Sequence, residues 1–251
     1  MGKERGRGET IALIRLHIIV EGATEETLVN TVLAPELGQV GVFADTHSVT
    51  TGRRHGRSVR GGFLRYEHLA RDLTLWMKQD QNPESWFTTM VDLYALPADF
   101  PGREIPSPHL ATRDRVVRLE AALAQDITQR LDGLPVASRF IPYLQTHEFE
   151  ALLFADASGF LEAFPGRQDA VDGLTAIRTR FATPEDIDGG PGTAPSKRIL
   201  GIVPDYEKPV SGPLIAQRIG LAAIRRECPH FACWVSRLIG LVSMAASEAG
   251  L

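Results

Sequence analysis

The stretch LIRLHIIVEGATEE, at residues 13–26, decides the fold of this 251-residue chain. Its first half is an apolar run whose alternate side chains fall on opposite faces, as in a β-strand. A glycine then breaks the strand, and Thr24 is a candidate N-cap for a helix with Glu25 and Glu26 in its first turn. Glu21 therefore stands at the carboxyl end of the strand. Ligands of open α/β sheets bind at that edge, and two carboxylates there suit a hard divalent cation.

Each acid also has a simpler explanation. Glu21 could be a solvated turn residue, and Glu25 could be an acid that merely interacts favourably with the helix dipole. Two later acids add weight to the metal interpretation. The segment WFTTMVDLYALP begins with a β-branched and aromatic run, which predicts a buried strand over residues 87–91 that stops at Asp92. Asp92 thus has the same placement as Glu21, because an apolar strand ends at each.

A third group of acids follows a strand predicted over residues 140–144, at the start of a predicted helix. Glu148 and Glu150 are two residues apart, so at most one of them faces the strand edge if both are helical. His147 lies beside them. A histidine in this position is more often a structural hydrogen-bonding group than a ligand.

Basic residues concentrate in two places that could contact phosphate. A glycine-punctuated segment, predicted to be a loop before a helix that starts near Phe63, carries Arg53, Arg54, His55, Arg57 and Arg60. Guanidinium groups match phosphate oxygens, although a solvated basic loop that pairs with the chain's own acids is the alternative. A helix predicted to start at residues 195–196 has Lys197 and Arg198 in its first turn, which suits an anion.

Composition limits the remaining possibilities. The net charge of −4 means that any nucleic-acid site must be a local patch. No apolar run approaches the ~20 residues that cross a bilayer, and no phosphate-binding Walker sequence is present. Cys228 and Cys233 match no common zinc spacing, which favours free thiols in a reducing cytoplasm. We therefore expect a cytoplasmic protein without a membrane segment.

The order of strands and helices predicts an α/β protein. We expect a disordered tail over residues 1–10, an α/β core over 11–156 and a mainly helical region over 157–251 that packs on the core. Further predicted elements are helices over 25–37, 111–133, 160–164 and 172–181, a strand over 40–49, and two closing helices split by Pro229.

These motifs resemble known families. VEGATEE followed by MVDLY resembles the TOPRIM fold of topoisomerases, primases and the overcoming-lysogenization-defect nucleases, in which strand-end acids bind divalent metal. The fuller set of VEGATEETLVNTVLAPEL, GRRHGRSVRGGFLRYEHLARDL, WFTTMVDLYALP, HEFEALLF and PGTAPSKRI resembles the bacterial domain-of-unknown-function 4276 family over nearly the whole chain. The resemblance implies a central, mostly parallel TOPRIM-like sheet flanked by helices, with a helical C-terminal lobe.

The resemblance also assigns roles. Glu21 and Glu25 match the two glutamates of the motif, and Asp92 matches the first aspartate of the usual D-x-D. Tyr94 stands where the second aspartate belongs, so metal binding depends on a substitute. Glu148 or Glu150 is our candidate for that substitute, and the expected ion is Mg²⁺ or Mn²⁺.

Three functional hypotheses remain open. The first is a metal-dependent nuclease that acts on DNA or RNA, with Glu21 and Lys197 in catalytic roles and the arginines on flanking phosphates. The second is a metal-poor binding subunit that partners a separate ATPase, as resemblance to bacterial defence systems implies. The third is a nucleotide-binding or phosphotransfer enzyme. The oligomeric state is left open.

Overall fold

The computed structural model describes residues 13–54, 57–60, 65–103, 110–187 and 192–248. The predicted disordered tail over residues 1–10 lies outside them. Within the described ranges, no helix has both the length and the apolar character required to cross a membrane.

The fold is built on a parallel five-stranded sheet, which confirms the predicted α/β class. Its strands are β1 (Ile14–Val20), β2 (Val42–Ser48), β5 (Ser85–Asp92), β6 (Phe140–Ile141) and β7 (Leu144–Gln145). The order is β2-β1-β5-β6, and β7 also pairs with β5. β5 is buried along its whole length, as expected for a central strand covered on both faces.

The helical crossover between β1 and β2 agrees in outline with the helix predicted over residues 25–37. It consists of α1 (Ala23–Leu28), a π-helical turn (Val29–Leu33) and α2 (Ala34–Gln39). The expected N-cap at Thr24 is wrong. Gly22 is already extended, with φ −164°, so the helix begins at Ala23 and Thr24 is buried within the first turn.

The arginine-rich segment is a β-hairpin, not the predicted loop. β3 (Thr50–Arg54) pairs antiparallel with β4 (Arg57–Arg60) in a separate two-stranded sheet. The strands are two residues apart in sequence and carry Thr50, Thr51 and Val59, which have high β propensity. Glycines in the segment favoured the loop prediction, but Gly52 pairs with Val59 at an irregular register. Phe63, the predicted start of the next helix, lies outside the described residues.

Two hydrophobic cores lie on the two faces of the sheet. Ile14, Leu16, Ile18 and Val20 enter the larger core, whereas Ile19 enters the second. The second core is covered by α3 (Tyr66–Gln79) and α4 (Thr112–Arg130), and α4 confirms the helix predicted over 111–133. The alternation in the first strand therefore separates two buried layers rather than a core from solvent.

The region after residue 139 is less regular than predicted. Pro142 lacks an amide hydrogen, and the strand predicted over 140–144 is divided there into β6 and β7. The following helix is a 3₁₀ segment, Phe149–Ala155, instead of an α-helix. Other short 3₁₀ turns lie at Leu93–Ala95, Pro135–Arg139, Ala157–Gly159 and Pro184–Asp186.

The C-terminal region is helical, as predicted. Its helices are α5 (Phe160–Ala163), α6 (Gln168–Arg178), α7 (Pro195–Ile202), α8 (Lys208–Ile219), α9 (Leu221–Glu227), α10 (Pro229–Ile239) and α11 (Leu241–Glu248). The expectation of two closing helices split by Pro229 is wrong, because Gly220, with φ +79°, also ends α8. Buried side chains from β1 and from α10 share the larger core. A division of the chain at residue 156 stays a prediction.

Candidate active site

The parallel register of β1 and β5 brings two of the predicted acids to one edge. Val20 pairs with Met90, so Glu21 and Asp92 leave neighbouring strands at their carboxyl ends. Glu25 lies in the first turn of α1 and is 3% exposed, and Asp92 is 4% exposed. The sheet therefore assembles acids that are 71 positions apart in the chain.

A lysine lies among these acids. The Lys208 Nζ is 2.8 Å from Asp92 Oδ2, 3.2 Å from Glu25 Oε1 and 3.6 Å from Glu150 Oε2. We call Glu21, Glu25, Asp92, Glu150 and Lys208 the strand-end cluster. Four carboxylates and one ammonium group carry a formal charge of −3 when all are ionised.

Close packing of α8 fixes the lysine. Lys208 is the first residue of this helix, and Gly212 lies one turn further on. A Cβ on Gly212 would lie 2.7 Å from the Phe149 ring and 3.0 Å from the Tyr206 hydroxyl oxygen, so only glycine permits this approach. The Lys208 ammonium lies 5.7 Å above the centre of the Phe149 ring. The packing therefore holds the backbone at Lys208 near the strand ends, from which its side chain, 32% exposed, reaches the carboxylates.

Because the cluster contains more acids than cations, the pKa values of its acids are raised. Burial, followed by the charges of Asp92 and Glu25, raises the pKa of Glu21 to about 8. Burial raises the pKa of Asp92 to about 6 and that of Glu150 to about 7, although Lys208 opposes both shifts. Burial alone would lower the pKa of Lys208, but the carboxylates of Asp92, Glu25 and Glu150 outweigh it and raise that pKa.

Four carboxylate oxygens of the cluster are buried without a hydrogen bond, namely Glu21 Oε2, Glu25 Oε1, Asp92 Oδ1 and Glu150 Oε2. Glu25 Oε1 and Glu150 Oε2 face Lys208, whereas the shortest contact of Asp92 with Lys208 is through Oδ2 and Glu21 lies more than 4 Å from the ammonium. Oxygen donors of this kind fit Mg²⁺ or Mn²⁺, and Mg²⁺ is usually bound through one or two carboxylates with water completing its shell. In the part of the chain that the structure describes, no three His, Cys, Asp or Glu side chains are grouped so that they could hold a metal ion. The arrangement thus fits a two-carboxylate site and not a larger protein cage.

Comparison with known proteins identifies the family. The family described as "Domain of unknown function (DUF4276)" matches residues 20–239. The chain belongs to this family. Its membership confirms the resemblance predicted from the motifs, and the match begins one residue before Glu21.

Two solved structures are similar to this DUF4276 chain, and both show the C-terminal region of the OLD protein of Xanthomonas campestris pv. campestris. Both are 14% identical to it in sequence, with TM-scores of 0.41 and 0.40. They cover 95% and 94% of this chain, and 98% of each OLD chain is covered. No curated protein matches the sequence.

The remaining predicted acid and its neighbours have other partners. Glu148 Oε2 accepts a hydrogen bond from the Ser196 backbone N–H at 3.0 Å, which ties it to the start of α7. His147 is 1% exposed and has a left-handed backbone, with φ +60°, and its carbonyl accepts from the Tyr94 N–H at 3.1 Å. The structure therefore brings Glu150, and not Glu148, within 4 Å of Lys208.

The residues that were predicted to contact phosphate differ in their surroundings. Lys197 is exposed in the first turn of α7. Arg198 is engaged elsewhere, since its Nε donates to the Thr193 carbonyl at 2.7 Å and its guanidinium lies over the Phe181 ring. The backbone of the hairpin that carries Arg53, Arg54, Arg57 and Arg60 is described, whereas their side chains and His55 lie outside the described part of the chain.

Sequence reasoning missed Lys208. It lies 116 positions from Asp92, and no local pattern links the two. The one available signal was a lysine directly before a proline, where Pro209 predicts the start of a helix. A cation at a helix start opposes the helix dipole, which is a reason to expect acids nearby.

Proposed function

We propose that this DUF4276 chain is a divalent-metal-dependent phosphodiesterase that cleaves nucleic acid. The observation that carries the proposal is the strand-end cluster, where buried acids surround one lysine at the ligand-binding edge of a parallel sheet. Like charges in a dry site lower stability, so their retention favours a functional role. A bound Mg²⁺ or Mn²⁺ supplies charge stabilisation to the phosphodiester and acidifies a bound water.

The residues of the chain have distinct roles in this proposal. Glu21 and Asp92 offer the unpartnered oxygens that hold the ion. Should Asp92 hold the ion without Glu21, Glu21 is instead the candidate proton acceptor of the reaction. Lys208 contacts Asp92 directly and keeps that carboxylate oriented.

The arginine-rich hairpin supports a nucleic-acid substrate. Ser48, the last residue of β2, pairs with Val20, so β3 begins two positions later at the same edge as Glu21. Four arginines follow in the hairpin, and guanidinium groups bind phosphate well. Lys197 supports a second contact, because Ser196 ties the start of α7 to Glu148.

The experiment is cleavage of single- and double-stranded DNA and RNA in Mn²⁺ or Mg²⁺. We expect Glu21→Gln to reduce cleavage by about 100-fold or more, a typical contribution of acid–base catalysis. Glu36→Gln is the matched control, because Glu36 is an exposed acid on α2. Both variants should remain folded by circular dichroism.

Unchanged cleavage by Glu21→Gln would remove Glu21 from the reaction. Cleavage of none of the four substrates by the wild-type chain would contradict the nuclease proposal. The salt dependence of binding distinguishes a nucleic-acid polymer from a mononucleotide as the ligand, because the affinity for a polymer should fall steeply between about 50 and 200 mM salt. Binding that salt does not change, with a preference for mononucleotides, would favour the nucleotide-binding enzyme.

One observation favours a second candidate, a binding subunit of a bacterial defence complex that partners a separate ATPase. Tyr94, 41% exposed, stands in place of the second aspartate of the related motif. Under this candidate, Glu21→Gln leaves nucleic-acid binding intact and no cleavage is detected in any metal. Both candidates fit a cytoplasmic protein, as the free thiols of Cys228 and Cys233 suggest.

A further inference from the structure

We propose that Lys208 permanently occupies one of two cation positions in the strand-end cluster, so that the site takes a single divalent ion, between Glu21 and Asp92. The inference rests on the proposed function for the identity of the ion as Mg²⁺ or Mn²⁺. It goes beyond that function because it fixes the number of ions and assigns Lys208 the place of a second one.

The first support is the division of the carboxylate oxygens. Asp92 Oδ2, Glu25 Oε1 and Glu150 Oε2 face the ammonium at 2.8, 3.2 and 3.6 Å. Asp92 Oδ1 and Glu21 Oε2 are buried and have no hydrogen bond, and the shortest contact of Asp92 with the ammonium is through its other oxygen, Oδ2. Asp92 therefore has one oxygen on the ammonium and one left for another cation.

The second support is that the helix backbone that carries Lys208 is closely packed and that its ammonium contacts Asp92. A metal ion bound by Glu25, Asp92 and Glu150 would have to displace an ammonium 2.8 Å from Asp92. The backbone of α8 cannot move away easily, because Gly212 packs on Phe149 and Gly159 packs on Ile219 of the same helix. Close-packed contacts of this kind resist small displacements.

The third support is charge. Four carboxylates and one ammonium give −3, and one divalent ion reduces this to −1. A second divalent ion would reverse the sign to +1 in a buried site, beside the ammonium, where repulsion between cations is strong. The same count explains how Tyr94 is tolerated, because a lysine in the second position needs no second aspartate in the motif.

The test counts bound ions directly. The full chain is titrated with Mn²⁺ alone, and free Mn²⁺ is measured by electron paramagnetic resonance. We expect one ion per wild-type chain and at least a tenfold weaker affinity in Glu21→Gln. Lys208→Arg, which keeps the charge, should also bind one ion. Lys208→Met should bind two, because Glu25, Asp92 and Glu150, which are not grouped to hold a metal ion while the ammonium lies among them, are then left without a cation and can close on a second ion.

Two ions per wild-type chain would overturn the inference and leave the proposed nuclease standing. No ion at millimolar Mn²⁺ would overturn both. One ion whose affinity is the same in Glu21→Gln would also refute it, because the ion would then lie elsewhere. If Lys208→Met does not fold, the number of Mn²⁺ ions bound by the wild type, together with the results for Glu21→Gln and Lys208→Arg, still tests the inference.

Discussion

The carboxylates at the two edges of the sheet, which are buried or partly buried, have opposite electrostatic surroundings. At the amino edge, Asp80 contacts Arg15 Nη1 at 3.0 Å and His17 Nε2 at 2.8 Å. It also accepts hydrogen bonds from the Ser85 hydroxyl at 2.9 Å and the Asn82 backbone at 3.2 Å. Burial raises the pKa of Asp80, but these contacts outweigh it and lower the pKa to about 2.

At the carboxyl edge the balance is reversed. One ammonium group serves several acids, and the pKa values of Glu21, Asp92 and Glu150 are all raised, with burial as the largest cause. The fold can therefore provide full compensation for a partly buried acid, as it does for Asp80. Under the proposed function, the acids at the carboxyl edge are kept for an external cation and not for stability.

The sharpest test of this contrast is removal of the Lys208 ammonium group from the carboxyl edge. We expect Lys208→Met to lower the free energy of unfolding by about 3–5 kcal/mol in metal-free buffer, since it leaves buried carboxylates unpaired. Urea denaturation measures the loss, with the exposed Lys78→Met on α3 as control. Added Mn²⁺ should restore much of the stability, because an ion that binds the folded state stabilises it.

A loss below about 1 kcal/mol, the range of exposed ion pairs, would show that Lys208 is merely a surface lysine and would remove the contrast. A large loss that Mn²⁺ does not reduce would make the cluster structural.

The sequence was informative wherever the signal was local. Strand-end acids at Glu21 and Asp92 followed from where apolar runs stop, whereas the mostly parallel sheet was implied by the family resemblance. Lys208 could not be found in this way, because its position depends on how α8 packs against Phe149 and the strand ends. Long-range packing leaves no spacing pattern in a single sequence.

The hairpin and the 3₁₀ segment were missed for a different reason. In residues 50–60, the glycines and arginines favoured a loop more than Thr50, Thr51 and Val59 favoured a strand. The antiparallel pairing appears only in the structure. At Phe149–Ala155 the apolar run indicated a helix but could not distinguish the 3₁₀ from the α form. Local composition predicted that an element was present better than it predicted its type.

A smaller effect is expected at the amino edge. Asp80→Asn should lower stability by about 1–2 kcal/mol, less than the full difference between a pKa of about 2 and the ordinary value of 3.8, because solvent screens the exposed Arg15 partner. Because the pKa is lowered, the contribution is present above pH 4 and is lost as the pH falls toward 2. Urea denaturation of wild type and variant between pH 2 and pH 7 measures this. A difference that does not change with pH would mean that the Asp80 charge is not the cause.

The smallest effect should have the opposite sign. Glu21→Gln removes a carboxylate whose pKa is raised to about 8, so the variant should be more stable than wild type. A raised acid pKa lowers the stability of the folded chain as the pH rises from about 4.5 to 8, and the gain should therefore increase over that interval. We expect about 1 kcal/mol at pH 8, less than an isolated group would give, because Asp92 and Glu150 can take up the shared proton.

Thermal and urea denaturation at pH 5 and pH 8 without metal measure the gain, with Glu36→Gln as control. A variant less stable than wild type at both pH values would place Glu21 in the same class as Asp80, as a satisfied structural acid. A gain without metal, combined with loss of Mn²⁺ binding in the same variant, would be the behaviour of a carboxylate held for a ligand.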